Sequence, residues 1–280
     1  MNFSMDQLIQ ESGKIPPIPQ TVQKALKLID DPESNATDLA VLLASDHVLA
    51  EHVLRWANSA YYGTGSQIST VQQAVVALGM DVIEELILTY SAFDHMARPL
   101  PGYKLQRGEL WHHALGSAIC ARLISKQQHL QLDEEAYFAG LLCDIGKLVL
   151  EKHLREIDLK DSNWERQPFL EMERANFGVD HAMLGAEMAR HWQLPEELAT
   201  AIAYHHEPHH AQDHQILVAT VQVGEISMKI LGIGMGIDGL FYPPDEAALN
   251  LLNLTWEGLF RLADQVNEQL KHAKELIYFE

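Results

Sequence analysis

The sequence predicts an all-α protein. Three observations carry that prediction: apolar residues recur at helical spacing in nearly every segment, alternating strand patterns are scarce, and paired polar residues three positions apart open successive runs. Asn35 with Asp38 precedes Leu39, Leu42 and Leu43 in the manner of a capping box. A later amphipathic run ends in the helix-terminating turn Asn58-Ser59-Ala60. Ser69 with Gln72 opens the next helix, which stops at Gly79, a residue suited to helix ends. Asp81 with Glu84 begins another at once, so the two helices form a hairpin or corner. Pro99-Leu100-Pro101-Gly102 is the best candidate for a boundary. Beyond it, helices are expected over Leu110–Gln127 and from Asp133-Glu134-Glu135 into Leu141-Leu142-Cys143-Asp144. After a polar stretch at residues 158–167, helices follow around Asp180–Trp192 and from Pro195, at a first helical position, through Tyr204. Residues 216–231 and 245–276 complete the set. Gly232, Gly234 and Gly236 follow a helix rather than precede one, and so read as a flexible loop, not a phosphate cradle.

Composition bounds the function. The 280 residues suffice for one large core or two smaller ones, and 47% hydrophobic content with a mean hydropathy of −0.10 is ordinary for a soluble globular chain. Met-Asn-Phe-Ser-Met-Asp at the start lacks a basic region followed by an apolar run, so no signal peptide is expected. Ile216–Ile237, the most apolar stretch, is interrupted by Glu225, Lys229 and glycines and is rejected as a membrane span. Cys120 and Cys143 are the only cysteines, which fits a reducing cytoplasm. Twenty basic against 39 acidic residues give a net charge of −19, which opposes phosphate backbones and argues against nucleic-acid binding. The same field opposes an anionic substrate unless a metal or local lysines reverse it. The 15 histidines cluster late in the chain.

Five segments carry candidate metal ligands: His113, Cys143-Asp144, His181, His205-His206 and Glu225. A helical bundle holds imidazoles and carboxylates in fixed directions from several facing helices, as a divalent cation requires. Small residues accompany each candidate: Gly116 and Ser117, Gly140, Gly185 and Gly224. They serve either simple helix packing or the convergence of short polar side chains. His209, His210 and His214, in the polar loop after Pro208, read as solvated. Lys147 is either a solvated lysine or a group that neutralises a phosphate oxygen, one turn beyond Asp144 on the same helix.

Trp56-Ala57-Asn58-Ser59-Ala60-Tyr61-Tyr62-Gly63, together with Ile15-Pro16-Pro17-Ile18-Pro19, Asp31-Pro32 and Asp46, resembles the opening of the HDOD family. These are bacterial signalling modules related to the HD-domain metal-dependent phosphohydrolases. Trp111-His112-His113-Ala114 resembles the first ligand element of HD domains, with His113 as the ligand. Cys143-Asp144-Ile145-Gly146-Lys147 is similar to the His-Asp-x-Gly-Lys element, and His181, Trp192-Gln193-Leu194-Pro195 and His205-His206 to the third region. Glu225 falls where the last aspartate is expected. The similarity spans roughly residues 10–235.

The resemblance implies an N-terminal helical bundle over 1–98 packed on an HD-like bundle over 103–280, together one module. It also implies a centre for one or two divalent transition metals (Fe, Mn or Zn), with His113, Asp144, His205 and Glu225 as ligands. His181 and His206 complete a second site or support the first. Asp144 and Lys147 would be the catalytic pair. Two departures weaken the enzyme reading: cysteine stands where the family has histidine, and Glu225 is one methylene longer than aspartate. Pro208-His209-His210 replaces the Asp-Gly-x-Gly-Tyr-Pro run of cyclic-di-GMP phosphodiesterases. The expectation is therefore a cytoplasmic regulator with a degenerate metal site that acts by binding a signalling partner, away from membranes. The alternatives are a metal-dependent phosphohydrolase of nucleotides or other phosphate esters, and a metal or redox sensor built on Cys143.

Overall fold

The computed structural model describes residues 5–15, 19–29, 31–63, 65, 67–157, 169–237 and 245–273. Pro16–Ile18 of the proline-rich opening, and the polar stretch at 158–167, lie outside them. Among the described residues every regular element is a helix, apart from one isolated bridge between Leu100 and Leu105. None of these helices is long and apolar enough to cross a membrane. The chain forms two compact units, one of Met1–Ile15 with Met96–Asn267 and the other of Pro16–His95 with Glu268–Glu280.

The second unit holds α2 (Gln20–Ile29), α3 (Ala36–Ala44), α4 (His47–Ala57), α5 (Val71–Leu78) and most of α6 (Met80–Met96). Helix α3 packs on α2, α4 and α5 through Leu39, Ala40 and Leu43. The Asn35 side chain caps α3 by accepting from the Thr37 and Asp38 amides, and its amide nitrogen donates to Asp38. The expected Ser69–Gln72 box is displaced by one residue. Thr70 caps α5, and the Gln73 carboxamide oxygen accepts from both the Ser69 and Thr70 amides. Gly79, at φ 84°, ends α5 as expected.

Asn58 caps the C-terminus of α4, and its side chain ties that end to the segment entering α5. Its Nδ2 donates to the Leu54 carbonyl at 2.7 Å and the Ile68 carbonyl at 2.8 Å, and its Oδ1 accepts from the Ile68 amide at 2.8 Å. Beside it Trp56 is fully buried and the Ser59 hydroxyl donates to the Trp56 carbonyl. The most distinctive motif of the sequence is thus a structural clamp.

The first unit is built around α7 (Glu109–Gln128), α8 (Asp133–Leu142) and α13 (Gln215–Ile230), which pack on one another. Helix α12 (Glu196–Tyr204) lies against α8, α13 and α11 (His181–His191). Helices α1 (Met5–Ser12) and α9 (Lys147–Leu154) pack on each other and on α11. This is why residues 1–15 group with the later part of the chain, although the sequence reading placed them in a 1–98 subdomain: Leu8 and Ser12 are buried in this unit. Pro99–Gly102, read as a boundary, is part of the same core. It leads into a 3-10 turn, Pro101–Tyr103, that packs on α9, with Leu100 and Tyr103 fully buried. The division falls at His95–Met96 instead. Helix α10 (Phe169–Phe177) precedes α11.

Two expected helices differ in detail. Pro195 is the N-cap of α12 rather than its first residue. Residues 245–276 do not form one helix but α14 (Glu246–Leu251) and α15 (Trp256–His272), split where Asn253 takes φ 51° and the Thr255 hydroxyl caps Gly258.

Close backbone approach explains the small residues. A Cβ on Gly140 would lie 3.0 Å from the Ser117 carbonyl oxygen, and one on Gly224 would lie 2.9 Å from the same atom. On Gly146 it would lie 1.9 Å from the His181 carbonyl oxygen. Gly146→Ala should therefore force α11 away and cost about 3 kcal/mol or more in urea unfolding, the upper end for overpacking. Asn58→Ala should cost about 2–3 kcal/mol by the same assay, because it removes three side-chain-to-backbone hydrogen bonds at once. A loss below about 0.5 kcal/mol in either variant would contradict the contacts described.

Candidate metal centre

Helices α7, α11, α12 and α13 and the α8–α9 turn deliver all six candidate ligands to one place. His113 lies on α7, His181 opens α11, His205 caps the end of α12 with His206 just beyond it, and Glu225 lies on α13. Asp144 sits in the turn between α8 and α9, so Lys147, which starts α9, does not share a helix with it as expected. All are buried except His206, which is half-buried.

Asp144 is the hinge of the arrangement. Its Oδ1 faces His181 Nε2 at 3.4 Å and His205 Nε2 at 4.0 Å, while its Oδ2 faces His113 Nε2 at 3.7 Å. His113 Nε2 is also 3.8 Å from Glu225 Oε1. Two overlapping donor groups result: Asp144, His181, His205 and His206, and His113, Asp144 and Glu225. Each could hold a metal ion.

The imidazoles are aimed from behind. His113 Nδ1 donates to the Ile233 carbonyl at 2.8 Å, and His205 Nδ1 to the Ile202 carbonyl at 2.7 Å. A carbonyl can only accept, so both rings carry their proton on Nδ1 and turn Nε2 toward Asp144. His181 Nδ1 donates to Glu173 Oε2 at 2.7 Å; that oxygen also accepts the His181 amide, and Glu173 Oε1 accepts the Tyr103 hydroxyl at 2.6 Å. The Asp180 side chain caps α11 by accepting from Met183, and Arg174 bridges Asp180 and Glu207 at 2.6 Å each. That bridge links the residue before His181 to the residue after His206.

Sequence reasoning missed Glu173, Ile202 and Ile233. The glycine loop, expected to be flexible, in fact supplies Ile233, and a Cβ on Gly234 would lie 2.7 Å from the His113 Cβ. Cys143 stands apart from both donor groups: its buried thiol donates to the Gly140 carbonyl, and burial together with the Asp144 and Glu225 charges pushes it well above its usual pKa. It behaves as a small neutral hydrophobe, which does not support a thiolate ligand or redox sensor. His209, His210 and His214 are exposed, as expected.

Electrostatics separates the rings. Burial alone would push Asp144 up, but the Lys147 ammonium 2.9 Å away, with His181 and His113, holds it well below the usual range. Burial would lower His181, yet Glu173 and Asp144 raise it to about 10. Burial depresses His205 to about 4, beyond what Glu225 and Asp144 restore, and burial with His205 depresses His206 further. Neutral His205 and His206 beside an ionised carboxylate are donors of the kind transition metals take.

The residues fit such an ion. His113 Nε2, His205 Nε2, Asp144 Oδ2 and Glu225 Oε2 are buried without a hydrogen-bond partner, while Asp144 Oδ1 and Glu225 Oε1 each meet a lysine ammonium. Atoms each about 2.0–2.2 Å from one metal lie no more than about 4.4 Å apart, and the separations above fall inside that limit. Bound there, an ion would supply Lewis-acid chemistry toward a phosphate oxygen or water.

In chelated protein the His181 proton contributes stability. Its folded pKa of about 10 lies above the unfolded value near 6.5, so the contribution is complete below about pH 6.5 and lost as pH rises toward 10. Unfolding free energy of chelated protein should fall by up to about 1.4 kcal/mol per pH unit across that window. Glu173→Gln should flatten the slope, and equal slopes in variant and wild type would disprove the pairing.

Comparison with known proteins places the chain by family and fold. The HDOD domain matches residues 15–208. A Geobacter sulfurreducens HDOD domain protein of unknown function is 26% identical, with a TM-score of 0.72 over 97% of this chain and 95% of that one. A Shewanella amazonensis protein provisionally named a phosphohydrolase shares the fold, at 22% identity and TM-score 0.74 over 96% of each chain. An uncharacterized Treponema pallidum protein is 27% identical over 222 residues, which span 78% of this chain and 42% of that longer protein. With the matched domain covering more than half of its length, the chain belongs to the HDOD family.

Proposed function

We propose that this chain is a cytoplasmic bacterial signal-transduction module that acts through a protein partner, its HD-like centre kept as a metal-holding core rather than a hydrolytic site. One observation carries this reading: Asp144, His181, His205 and Glu225 are 0% exposed, and His113 and Lys147 are 2% exposed. A phosphate ester needs room beside the nucleophile and the acid or base that serves it. Here Lys147 turns inward onto Asp144, where it cannot meet a substrate arriving from solvent. The net charge of −19 further opposes an anionic ligand.

His113, Asp144 and Glu225 would hold one ion, and Asp144, His181, His205 and His206 the other, with Fe, Mn or Zn as the cation. Glu173, the Ile202 carbonyl and the Ile233 carbonyl keep the rings in register. Helices α7, α11, α12 and α13 are then bound to one charge centre, so its occupancy can change the surface that a partner reads. The partner supplies the input signal.

Metal-dependent phosphohydrolysis of a nucleotide or other phosphate ester is the second reading, favoured by the two donor groups that meet at Asp144. In it Asp144 and Lys147 act as the catalytic pair, after Lys147 leaves Asp144 for the substrate. Metal content and hydrolysis of p-nitrophenyl phosphate and cyclic dinucleotides, measured on manganese- and zinc-loaded protein, separate the two. The signalling reading expects one or two ions per chain, lost in His113→Ala/Asp144→Ala, with no turnover that depends on Asp144. Hydrolysis abolished by Asp144→Asn would replace it with the enzyme.

A further inference from the structure

Each donor group contains a carboxylate oxygen already in contact with a lysine of the same chain. Lys147 Nζ lies 2.9 Å from Asp144 Oδ1, the oxygen that faces His181 and His205. Lys229 Nζ lies 2.5 Å from Glu225 Oε1, the oxygen that faces His113. Lys229 follows Glu225 by one helical turn on α13, and its side chain is 7% exposed while that of Glu225 is 0% exposed. This is not a surface lysine folded back over its neighbour. Helix geometry places the pair on one face, and packing buries both.

Two buried carboxylates facing two lysine ammoniums make an electrically balanced centre. Burying the Glu225 carboxylate without a cation would be costly, and a cation within contact distance offsets that cost. A divalent ion at the His113, Asp144 and Glu225 group would supply the same compensation, and the same oxygen would have to serve both. At such short range two cations repel strongly in a poorly solvated interior.

We propose that Lys229 is a built-in counter-ion for Glu225 that competes with a divalent cation for the His113, Asp144 and Glu225 group. Its ammonium sets the metal affinity of that half of the centre. The inference rests on the reading that the centre holds metal. It adds that the lysine must leave Glu225 Oε1 before an ion takes that oxygen.

The test uses the full chain, chelated and then titrated with manganese or zinc, as wild type, Lys229→Met, and Lys229→Met/Glu225→Gln. Metal-free Lys229→Met should melt roughly 6 °C or more below wild type, since it leaves a buried carboxylate uncompensated. The double variant should regain at least half of that loss. Titration should show Lys229→Met binding an ion at the His113, Asp144 and Glu225 group at least about ten-fold more tightly than wild type. Unchanged or weaker affinity in Lys229→Met, or a single variant as stable as wild type, overturns the inference. Ions bound equally by wild type and Lys229→Met, but lost in His113→Ala/Asp144→Ala, would sink the competition and leave the metal centre standing. No ion bound by any form would sink both.

Discussion

A single carboxylate without solvent, Asp144, governs the first unit. It sits in a turn rather than on a helix, is wholly buried, and would be driven to its neutral form by desolvation alone. Lys147, His181 and His113 must therefore all stand close to it for the charge to persist. That requirement propagates outward. To bring α7, α11, α12 and α13 within reach of one short side chain, backbones must nearly touch. Gly140, Gly146, Gly185 and Gly224 are where they do, with the Gly146 Cα position set against the His181 carbonyl. The sequence reading left open whether Gly140, Gly185 and Gly224 served packing or polar convergence. The structure makes these one requirement: the packing is what allows the convergence.

The helices and the six polar residues were legible because their signals are carried by side-chain identity. Hydrophobic periodicity, Asn35, Asp180 and Gly79 mark helices and their ends in ways that depend on the residue itself. The misplacements have physical causes of the same kind. Ser69 and Thr70 are both competent caps, and the choice fell to Thr70 because Gln73 reaches two amides from there. The break between α14 and α15 hinged on Asn253 entering the left-handed region, an option open to asparagine but not imposed by it. What could not be read were groups without residue identity. The Ile202 and Ile233 carbonyls aim two of the histidines, and any residue supplies a carbonyl. Glu173 resembles every other glutamate of an acidic chain until α10 brings it beneath His181.

Unit two teaches a different distinction. The run around Asn58 is the sharpest signature in the chain, yet its asparagine spends all of its described hydrogen bonds on local backbone. A motif can be specific because a turn admits only one side chain, without any ligand at that place. Of the motif, Asn58, Ala60 and Gly63 are exposed and Tyr61 and Tyr62 half-buried.

A buried charged network is poor evidence of stability in its own right, because well-packed apolar residues commonly do as well. On the proposed reading, what such a network provides is dependence on a small ion. A cation that binds only the folded centre stabilises it by an amount that grows with ion concentration over its dissociation constant. Four helices and the α8–α9 turn meet at Asp144, so that free energy is distributed over the whole first unit rather than over one loop. On the reading proposed above, a centre in which Lys147 is held against Asp144 beside the neutral thiol of Cys143 serves as a core that an ion fills or leaves.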